Sequence, residues 1–221
     1  LLIVAIATIV VPLLLRAHFG VSRSTPSLTL RSGGLYFTLI GAGFMLTEIA
    51  LIQKLTVLLS HPLHALGILL FTLIASTGIG SLLSDRLPLT RPPWLYVYPV
   101  LTVVYLIGLR FLLSFLLEIM ISAPVLERIL VAVAMILPLG LLMGLFFPVG
   151  MRLAKSVSYA ETPWYWALNG IFSVFCSALA VLISIYVGIS TNFYIAAICY
   201  GGVLIAQVGL VRAKATEYVM E

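Results

Sequence analysis

Apolar runs separated by short polar connections cover the chain from its first residues almost to its last. Each run is close to the roughly 20 residues that an α-helix needs to cross a bilayer. The pattern predicts an all-α fold, a polytopic membrane helix bundle with about seven transmembrane helices. The predicted spans are roughly 1–15, 34–60, 63–84, 94–118, 129–148, 163–188 and 191–211.

The length of the connections between these spans indicates how neighbouring helices pack. The first is the sequence AHFGVSRSTPSLTLRSGG at 17–34, which is predicted to be a loop because it is rich in Ser, Gly and Pro. The others are short, so consecutive spans are expected to pack antiparallel. Since the spans leave no room for a folded soluble domain, residues 1–221 are predicted to form one integral membrane domain.

Composition supports the same class of protein. Hydrophobic residues make up 62% of the chain and charged residues only 9%, whereas soluble domains carry about 25% charged residues. The net charge of +5 includes no basic run interleaved with exposed aromatic residues, so no nucleic acid is expected as a partner. The lipid bilayer is the expected surrounding.

The basic residues segregate to one side of the predicted bundle. Nine of the 12 follow the first, third, fifth and seventh spans, and these are Arg16, Arg23, Arg31, Arg86, Arg91, Arg152, Lys155, Arg212 and Lys214. The positive-inside rule makes that side cytoplasmic and puts the C-terminus in the cytoplasm. Two aromatic clusters fall at the same side, as expected of an interfacial belt, and they are Trp94, Tyr96 and Tyr98, and Trp164, Tyr165 and Trp166.

Glu48 is the residue with the clearest physical problem, because it lies in the middle of an apolar span. A carboxylate at membrane depth costs several kcal/mol unless it is paired or faces water. Arg110 lies at a similar depth in a span of the same direction, about 3 Å away along the membrane normal. We therefore expect Glu48 to face the bundle interior and to pair with Arg110. The pair is either purely structural or part of a site that handles a substrate or protons.

Other polar residues are candidates for buried or binding positions. Gln53 and Lys54 follow Glu48 on the same helix, and Lys54 either pairs with Glu118 or extends to the outer interface together with it. Asn169, beside a glycine inside a span, is expected to hydrogen-bond across helices. His61 and His64 flank Pro62 in an outer turn, where they are expected to cap the turn rather than to hold a metal ion, since no third ligand is near.

Small residues predict where helices approach each other closely. The third span is expected to pack through Gly67, Gly78, Gly80 and Ser81, and the sixth through Gly170, Ser173 and Ser177. The fifth span contains Pro138, Gly140, Gly144 and Pro148, and is expected to bend.

No catalytic residue, cofactor or metal site is predicted. The chain lacks the sequences GxSxG, HExxH and GxxxxGK[ST]. Cys176 and Cys199 lie in separate apolar helices without CxxC spacing, which indicates packing residues.

Five sequence blocks resemble the membrane domain of bacterial spermidine-synthase-like integral membrane proteins, a major-facilitator-like region fused to a polyamine aminopropyltransferase. The blocks are EIALIQK at 48–54, HPLHA at 61–65, GIGSLLSDR at 78–86, FFPVGMR at 146–152 and WALNG at 166–170. The resemblance covers about residues 34–190, and nothing in the chain matches the aminopropyltransferase domain. It implies a bacterial inner (plasma) membrane, and it makes Gly80, Asp85 and Arg86 similar to a cytoplasmic loop motif of major-facilitator transporters.

Three functions remain open from the sequence. The first is a non-enzymatic membrane domain that handles a small cationic or amphipathic ligand, a polyamine among them, or anchors a partner. The second is a structural accessory subunit of a larger complex with other membrane subunits. The third is the membrane module of a polyamine aminopropyltransferase system. A polar cavity near Glu48 would favour the first function, and a dry bundle with a large apolar face would favour the second.

Overall fold

The computed structural model describes residues 27–156 and 162–220, with side chains described except at 27–30, 121 and 213–220. In this part of the chain the fold is all-α, with six α-helices and no strand. The helices are α1 (Ser27–Leu59), α2 (Pro62–Ser84), α3 (Trp94–Ile119), α4 (Val125–Lys155), α5 (Thr162–Tyr186) and α6 (Ile189–Met220). A short 3-10 turn, Met120–Ser122, follows α3.

All six helices are long and apolar enough to cross a membrane. Their outward faces carry large apolar side chains, and Phe71, Leu82 and Ile198 are each more than two thirds exposed. Soluble monomers rarely expose contiguous apolar patches beyond a few hundred Å². The chain is therefore a multi-pass membrane protein, and the predicted helix bundle is confirmed. The predicted span 1–15 lies outside the described residues.

Short connections make the helices alternate in direction, so the bundle has two distinct ends. We call one the basic end, because it carries Arg31, Arg86, Arg91, Arg152, Lys155 and Arg212. The other is the histidine end, where His61 and His64 connect α1 to α2. Contacts between distant residues agree with this arrangement. Tyr98 and Gln207 meet at the basic end, whereas Arg128 contacts Leu58 at the histidine end.

Helix α1 is the centre of the bundle and contacts all five other helices. Its most extensive contacts are with α5 and α6. Leu51 and Leu55 of α1 are completely buried, as is the Thr47 side chain, which donates a hydrogen bond to the carbonyl oxygen of Gly43 at 2.7 Å. The helix that contains Glu48 is thus also the one around which the other helices pack.

The expected antiparallel packing of consecutive helices is only part of the arrangement. The most extensive interface of the bundle joins α2 to α4, which run in the same direction. Glycine makes this approach possible, because a Cβ atom on Gly80 would collide with the carbonyl oxygen of Leu141, and one on Gly144 with that of Thr77. The main packing partner of α2 is therefore determined by its small residues and not by which helix follows it in the sequence.

Helix α1 begins earlier than the sequence predicts, so the predicted loop is wrong over residues 27–34. Two consecutive glycines made this stretch look like a loop, but both face α5. A Cβ atom on Gly33 would lie 2.5 Å from the Tyr165 ring, and one on Gly34 would lie 3.4 Å from Leu168. Tertiary contacts with α5 thus compensate for the low helix propensity of glycine.

The two aromatic clusters are only partly interfacial. Trp94, Tyr96 and Trp166 are 41–59% exposed, as expected of a belt. Tyr98 and Tyr165, in contrast, are buried. The Tyr98 hydroxyl donates a hydrogen bond to Oε1 of Gln207 at 2.8 Å, and the Tyr165 ring stacks on Phe37 with centroids 5.2 Å apart. All these aromatic residues lie near the start of a helix, so their position in the sequence could not show which rings face lipid and which face the core.

Candidate functional site

A cavity of about 570 Å³ lies between α1, α2, α4 and α5, with one residue of α6 at its base. Its exposed lining includes Ile74 and Gly78, so it opens on the side of the bundle within the length of the spans. We call it the lateral cavity. It is lined by Ile40, Gly41, Phe44, Met45, Ile74, Thr77, Gly78, Ser81, Met143, Gly144, Phe146, Phe147, Pro148, Asn169, Ser173 and Tyr200.

The inner wall of the lateral cavity is aromatic and well fixed. The Phe146 ring packs against Tyr98 and Tyr200, with centroid distances of 4.9 and 4.7 Å. The carbonyl oxygen of Phe146 accepts a hydrogen bond from the Tyr36 hydroxyl at 2.8 Å. Rings held from several sides offer a rigid apolar surface, which costs little conformational entropy when a ligand packs on it.

A few polar groups face the same space. The hydroxyls of Thr77 and Ser173 donate to carbonyl oxygens of their own helices, Ile74 at 3.0 Å and Asn169 at 2.7 Å. The side chains of Ser81 and Asn169 also line the cavity, and neither makes a hydrogen bond to a described residue. The expected hydrogen bond of Asn169 across helices is therefore not formed, and its amide remains open to a ligand or to water.

Most of the small residues of α2 and α5 do not make the close helix contacts that were predicted for them. Gly41 of α1 lets α5 approach, since a Cβ atom there would lie 2.6 Å from the carbonyl oxygen of Asn169. Apart from the adjoining residues and backbone of the same helix, no described atom lies within 4 Å of such a Cβ atom at Gly67, Gly78 or Gly170. The prediction that these three glycines make close helix contacts is wrong. Of the small residues predicted on these two helices, Gly78, Ser81 and Ser173 line the lateral cavity, while Gly80 packs against α4.

Glu48 lies just beyond the lateral cavity towards the histidine end. It follows Phe44 by four residues and Gly41 by seven, spacings that put all three on one face of α1. Glu48 itself does not line the cavity and is half-buried. It makes no ion pair or hydrogen bond with the described residues. A carboxylate at mid-span without a protein partner is the most unusual polar feature of the bundle.

The predicted ion pair between Glu48 and Arg110 is wrong. The Arg110 guanidinium instead lies over the rings of Phe111 and Tyr194, 4.4 and 5.1 Å from their centroids, and its Nε is buried without a hydrogen bond. The two helices that carry these residues are not close neighbours in the membrane plane. Helix α3 packs mainly against α6 and makes only minor contact with α1. A matching depth was necessary for the pair but could not show which helices are neighbours.

Of the two alternatives for Lys54, pairing with Glu118 is not the one that forms. No ion pair joins it to Glu118, whose side chain is exposed, in the part of the chain that the structure describes. The positive charge near Lys54 is that of Arg110. Lys54 lies five residues from the end of α1, so its ammonium group can reach the interface by extending along the helix.

Gln53 belongs to a polar cluster of three helices near the histidine end. Its Oε1 accepts a hydrogen bond from the Ser184 hydroxyl at 2.6 Å. Nδ2 of Asn192, a completely buried residue, donates to Oγ of Ser184 at 2.8 Å and to the carbonyl oxygen of Ala180 at 3.0 Å. The cluster ties α1, α5 and α6 together, which indicates a structural role for Gln53.

At the histidine end, His61 and His64 do not belong to any group of three or more potential metal-binding side chains among the described residues. The rings of His61 and His64 are exposed, with centroids 4.6 Å apart. The prediction that they cap the turn is wrong, because the side chain of His61 makes no capping hydrogen bond. Arg128 caps instead, since its guanidinium donates to the carbonyl oxygen of Leu58 and to Oγ of Ser60, both at 2.9 Å.

The residues of the predicted loop motif have three separate roles at the basic end. Gly80 permits the contact between α2 and α4, as described above. The carboxylate of Asp85 pairs with Arg152 at the end of α4. Arg86 is exposed, and its backbone amide donates to the carbonyl oxygen of Leu83 at 3.0 Å.

Several residues around the site were not singled out from the sequence. Asn192 and Gln207 are polar residues inside an apolar helix, which is a signal that could have revealed their interhelical hydrogen bonds. Tyr36 and Tyr200 carry no such signal, because buried and interfacial tyrosines look alike in sequence. Comparisons with protein-family models, curated proteins and solved structures give no match to this chain.

Proposed function

We propose that this protein is a non-enzymatic membrane domain that binds a small amphipathic cation in the lateral cavity. The apolar part of the ligand lies against Phe146 and Phe147, and its positive group lies towards Glu48. The observation that carries the proposal is an open cavity of about 570 Å³ one helical turn from a mid-span carboxylate that has no partner among the described residues.

The dimensions and chemistry of the cavity fit such a ligand. Small-molecule sites are typically clefts of about 300–1,000 Å³, lined by apolar and aromatic side chains with a few polar groups that fix orientation. Here Asn169 and Ser81 supply the polar groups. An ammonium group near Glu48 would also offset the cost of a lone carboxylate at membrane depth.

The surroundings favour one positive charge over several. Glu48 is the only acidic residue on the described part of α1, α2 and α5. Glu127 of α4, the fourth helix that lines the cavity, lies in the first turn of that helix, far along it from the cavity-lining residues 143–148. A polyamine would bring several ammonium groups into a mainly apolar space, where each unpaired charge is costly. We therefore propose an alkylamine or a similar amphipathic cation, ahead of the polyamine suggested by the family resemblance. The third function, a membrane module of an aminopropyltransferase system, has no support from the geometry.

A structural accessory subunit is the second candidate from the sequence, and it predicted a dry bundle. The lateral cavity is an observation against a bundle that is closed throughout. The apolar exterior is common to all membrane proteins and supports neither function. We propose further that the basic end faces the cytoplasm of a bacterial inner membrane, because basic residues accumulate on the cytoplasmic side of short loops.

Calorimetry on the protein in nanodiscs tests ligand binding, with octyltrimethylammonium as the cation and octanol as the matched neutral probe. Empty nanodiscs correct for partition into lipid. We expect Glu48→Gln to weaken binding of the cation by about tenfold, the loss of roughly one ion pair, and to leave octanol unchanged. Gly78→Leu should weaken both probes, because the new side chain points into the cavity.

Gly67→Leu is the control for Gly78→Leu, since Gly67 is equally open on the same helix but does not line the cavity. It should bind both probes like the unaltered protein. Unchanged cation binding in both Glu48→Gln and Gly78→Leu would contradict the proposed function.

A further inference from the structure

The base of the lateral cavity is formed by Tyr200, the one residue of α6 that lines it. The side chain is only 1% exposed, and its ring lies against that of Phe146 with the centroids 4.7 Å apart. Gly43 of α1 makes room for the ring, because a Cβ atom there would lie 2.9 Å from Cε2 of Tyr200. Contacts from two helices therefore hold the Tyr200 ring in place.

The Tyr200 hydroxyl has no hydrogen-bond partner among the described residues. In this it differs from two other buried tyrosines of the bundle. The hydroxyl of Tyr36 donates to the carbonyl oxygen of Phe146, and that of Tyr98 donates to Oε1 of Gln207, both at 2.8 Å. Tyr200 is thus a buried tyrosine whose polar group is not used by the fold.

This hydroxyl is accessible from the lateral cavity. In the described part of the chain, the side-chain polar atoms that are both inaccessible and unpartnered belong to Arg110, Arg128, Thr162 and Asn192. Because protein covers all but 1% of Tyr200 and the residue lines the cavity, its hydroxyl opens into that space. A hydroxyl without a partner in an apolar wall costs free energy, and a ligand with a matching polar group would remove that cost.

The Asn169 amide lies at a similar depth on another helix. A Cβ atom on Gly41 would lie 2.9 Å from Oδ1 of Asn169, just as one on Gly43 would contact the Tyr200 ring. These two glycines are two residues apart, which is about 3 Å along the axis of α1. The cavity therefore offers a hydroxyl from α6 and an amide from α5 at nearly the same level, both without a partner among the described residues.

The rest of the lining indicates which ligand group fits there. The described lining contains no charged residue, so a second ammonium group at this level would have no counter-charge. A hydrocarbon chain would leave both polar groups unpaired. A hydroxyl group both donates and accepts, and therefore fits both Tyr200 and Asn169. Glu48 follows Gly43 by five residues, about 7–8 Å along α1, so several carbons would separate the hydroxyl from the ammonium group.

We propose that Tyr200 and Asn169 form a hydroxyl-binding subsite of the lateral cavity, and that the ligand is an amphipathic cation with a hydroxyl group along its chain. This inference rests on the proposed function, because it places the ammonium group towards Glu48. It makes Tyr200 a residue that determines ligand specificity, and it brings α6 into ligand recognition.

The unpartnered state of the Tyr200 hydroxyl can be tested without a ligand. Tyr200→Phe removes the oxygen and keeps the ring, so the resistance of the protein to unfolding by dodecyl sulfate in mixed micelles should not fall. Tyr98→Phe is the matched control, because it removes a hydroxyl that bonds Gln207 and should lower that resistance. Equal losses in the two variants would overturn the proposal, since the Tyr200 hydroxyl would then have a partner within the protein.

Calorimetry in nanodiscs, corrected with empty nanodiscs, tests the subsite itself. The two probes are octyltrimethylammonium and its derivative with a hydroxyl on the sixth carbon. We expect Tyr200→Phe to weaken binding of the hydroxylated cation by about fivefold, the loss of one hydrogen bond, and to change binding of octyltrimethylammonium by less than about twofold. Asn169→Ala should likewise weaken the hydroxylated cation more than the parent cation.

Tyr105→Phe is the control for binding, because the Tyr105 hydroxyl bonds the carbonyl oxygen of Met135 and does not line the cavity. It should bind both cations like the unaltered protein. Equal effects of Tyr200→Phe on the two cations, or no effect on either, would overturn the subsite, while octyltrimethylammonium binding that depends on Glu48 would still uphold the proposed function. If neither cation depended on Glu48, the proposed function would be contradicted and the subsite with it.

Discussion

Arg152, at the end of α4, donates hydrogen bonds both to the carboxylate of Asp85 and to the backbone carbonyl oxygen of Ser84, the latter at 2.7 Å. Ser84 is the last residue of α2, and Asp85 is its C-cap. One guanidinium group therefore satisfies a terminal carbonyl of α2 while it holds the ends of two parallel helices together.

The two partners of Arg152 should contribute unequally to stability. Asp85 is 75% exposed, so the ion pair should be worth only about 0–1 kcal/mol. Arg152→Ala also removes a charge-assisted bond to a helix terminus, and should cost about 1.5–3 kcal/mol. Unfolding of the protein in mixed micelles with increasing dodecyl sulfate would measure both. An Asp85→Ala variant that loses as much stability as Arg152→Ala would show that the carbonyl contact contributes nothing.

Gly144 and Gly78 should respond in opposite ways to alanine. A Cβ atom at Gly144 overlaps the backbone of α2, so Gly144→Ala should force α2 and α4 apart at a cost of about 1–3 kcal/mol. Gly78 has open space, so Gly78→Ala should be neutral or stabilise by up to about 1 kcal/mol, as alanine favours a helix. The same unfolding assay compares them. If Gly78→Ala lost more stability than Gly144→Ala, the prediction would be contradicted, because Gly78 and not Gly144 would then make the close helix contact.

Ser184 should matter more than a serine that bonds only within its own helix. Ser184→Ala removes the hydroxyl that links Gln53 to Asn192, so we expect a loss of about 1–3 kcal/mol from buried groups without partners. Ser177 is the control on the same helix, because its hydroxyl bonds the carbonyl oxygen of Val174 at 2.8 Å. Ser177→Ala should change stability by less than about 0.5 kcal/mol. Equal effects of the two substitutions would contradict a structural polar cluster.

The sequence predicted the spans well because span length depends on a local property. A run of apolar residues long enough to cross the bilayer forms a helix whatever its neighbours are. The predicted span 34–60 corresponds to Arg31–Leu59, and 94–118 to Trp94–Ile119. The errors fall at the ends, as at Gly33 and Gly34, where contact with α5 extends α1.

The sequence did not predict which helices meet. Depth could be counted along each span for Glu48 and Arg110, but lateral position depends on how all the helices pack together. Similarly, a small residue either admits another helix, as Gly80 does, or leaves a space, as Gly78 does. Local sequence does not distinguish the two outcomes, and so the lateral cavity could not be foreseen.

The orientation in the membrane can be tested at two matched prolines. Pro62 lies at the histidine end and Pro88 at the basic end, and both are exposed. With Cys176 and Cys199 replaced, we expect an impermeant maleimide to label Pro62→Cys on intact cells, and Pro88→Cys only after permeabilisation. Labelling of Pro88→Cys but not Pro62→Cys on intact cells would reverse the orientation.

Photo-crosslinking tests the site of ligand binding most directly. An octyltrimethylammonium probe with a diazirine in its alkyl chain, applied in nanodiscs, should label residues 40–48 of α1, 74–81 of α2, 143–148 of α4 and 169–173 of α5, as mapped by peptide mass spectrometry. Excess unlabelled cation should suppress these adducts, and Glu48→Gln should reduce them. Adducts spread over lipid-facing residues such as Phe71 and Tyr186, without competition by the unlabelled cation, would contradict binding in the lateral cavity.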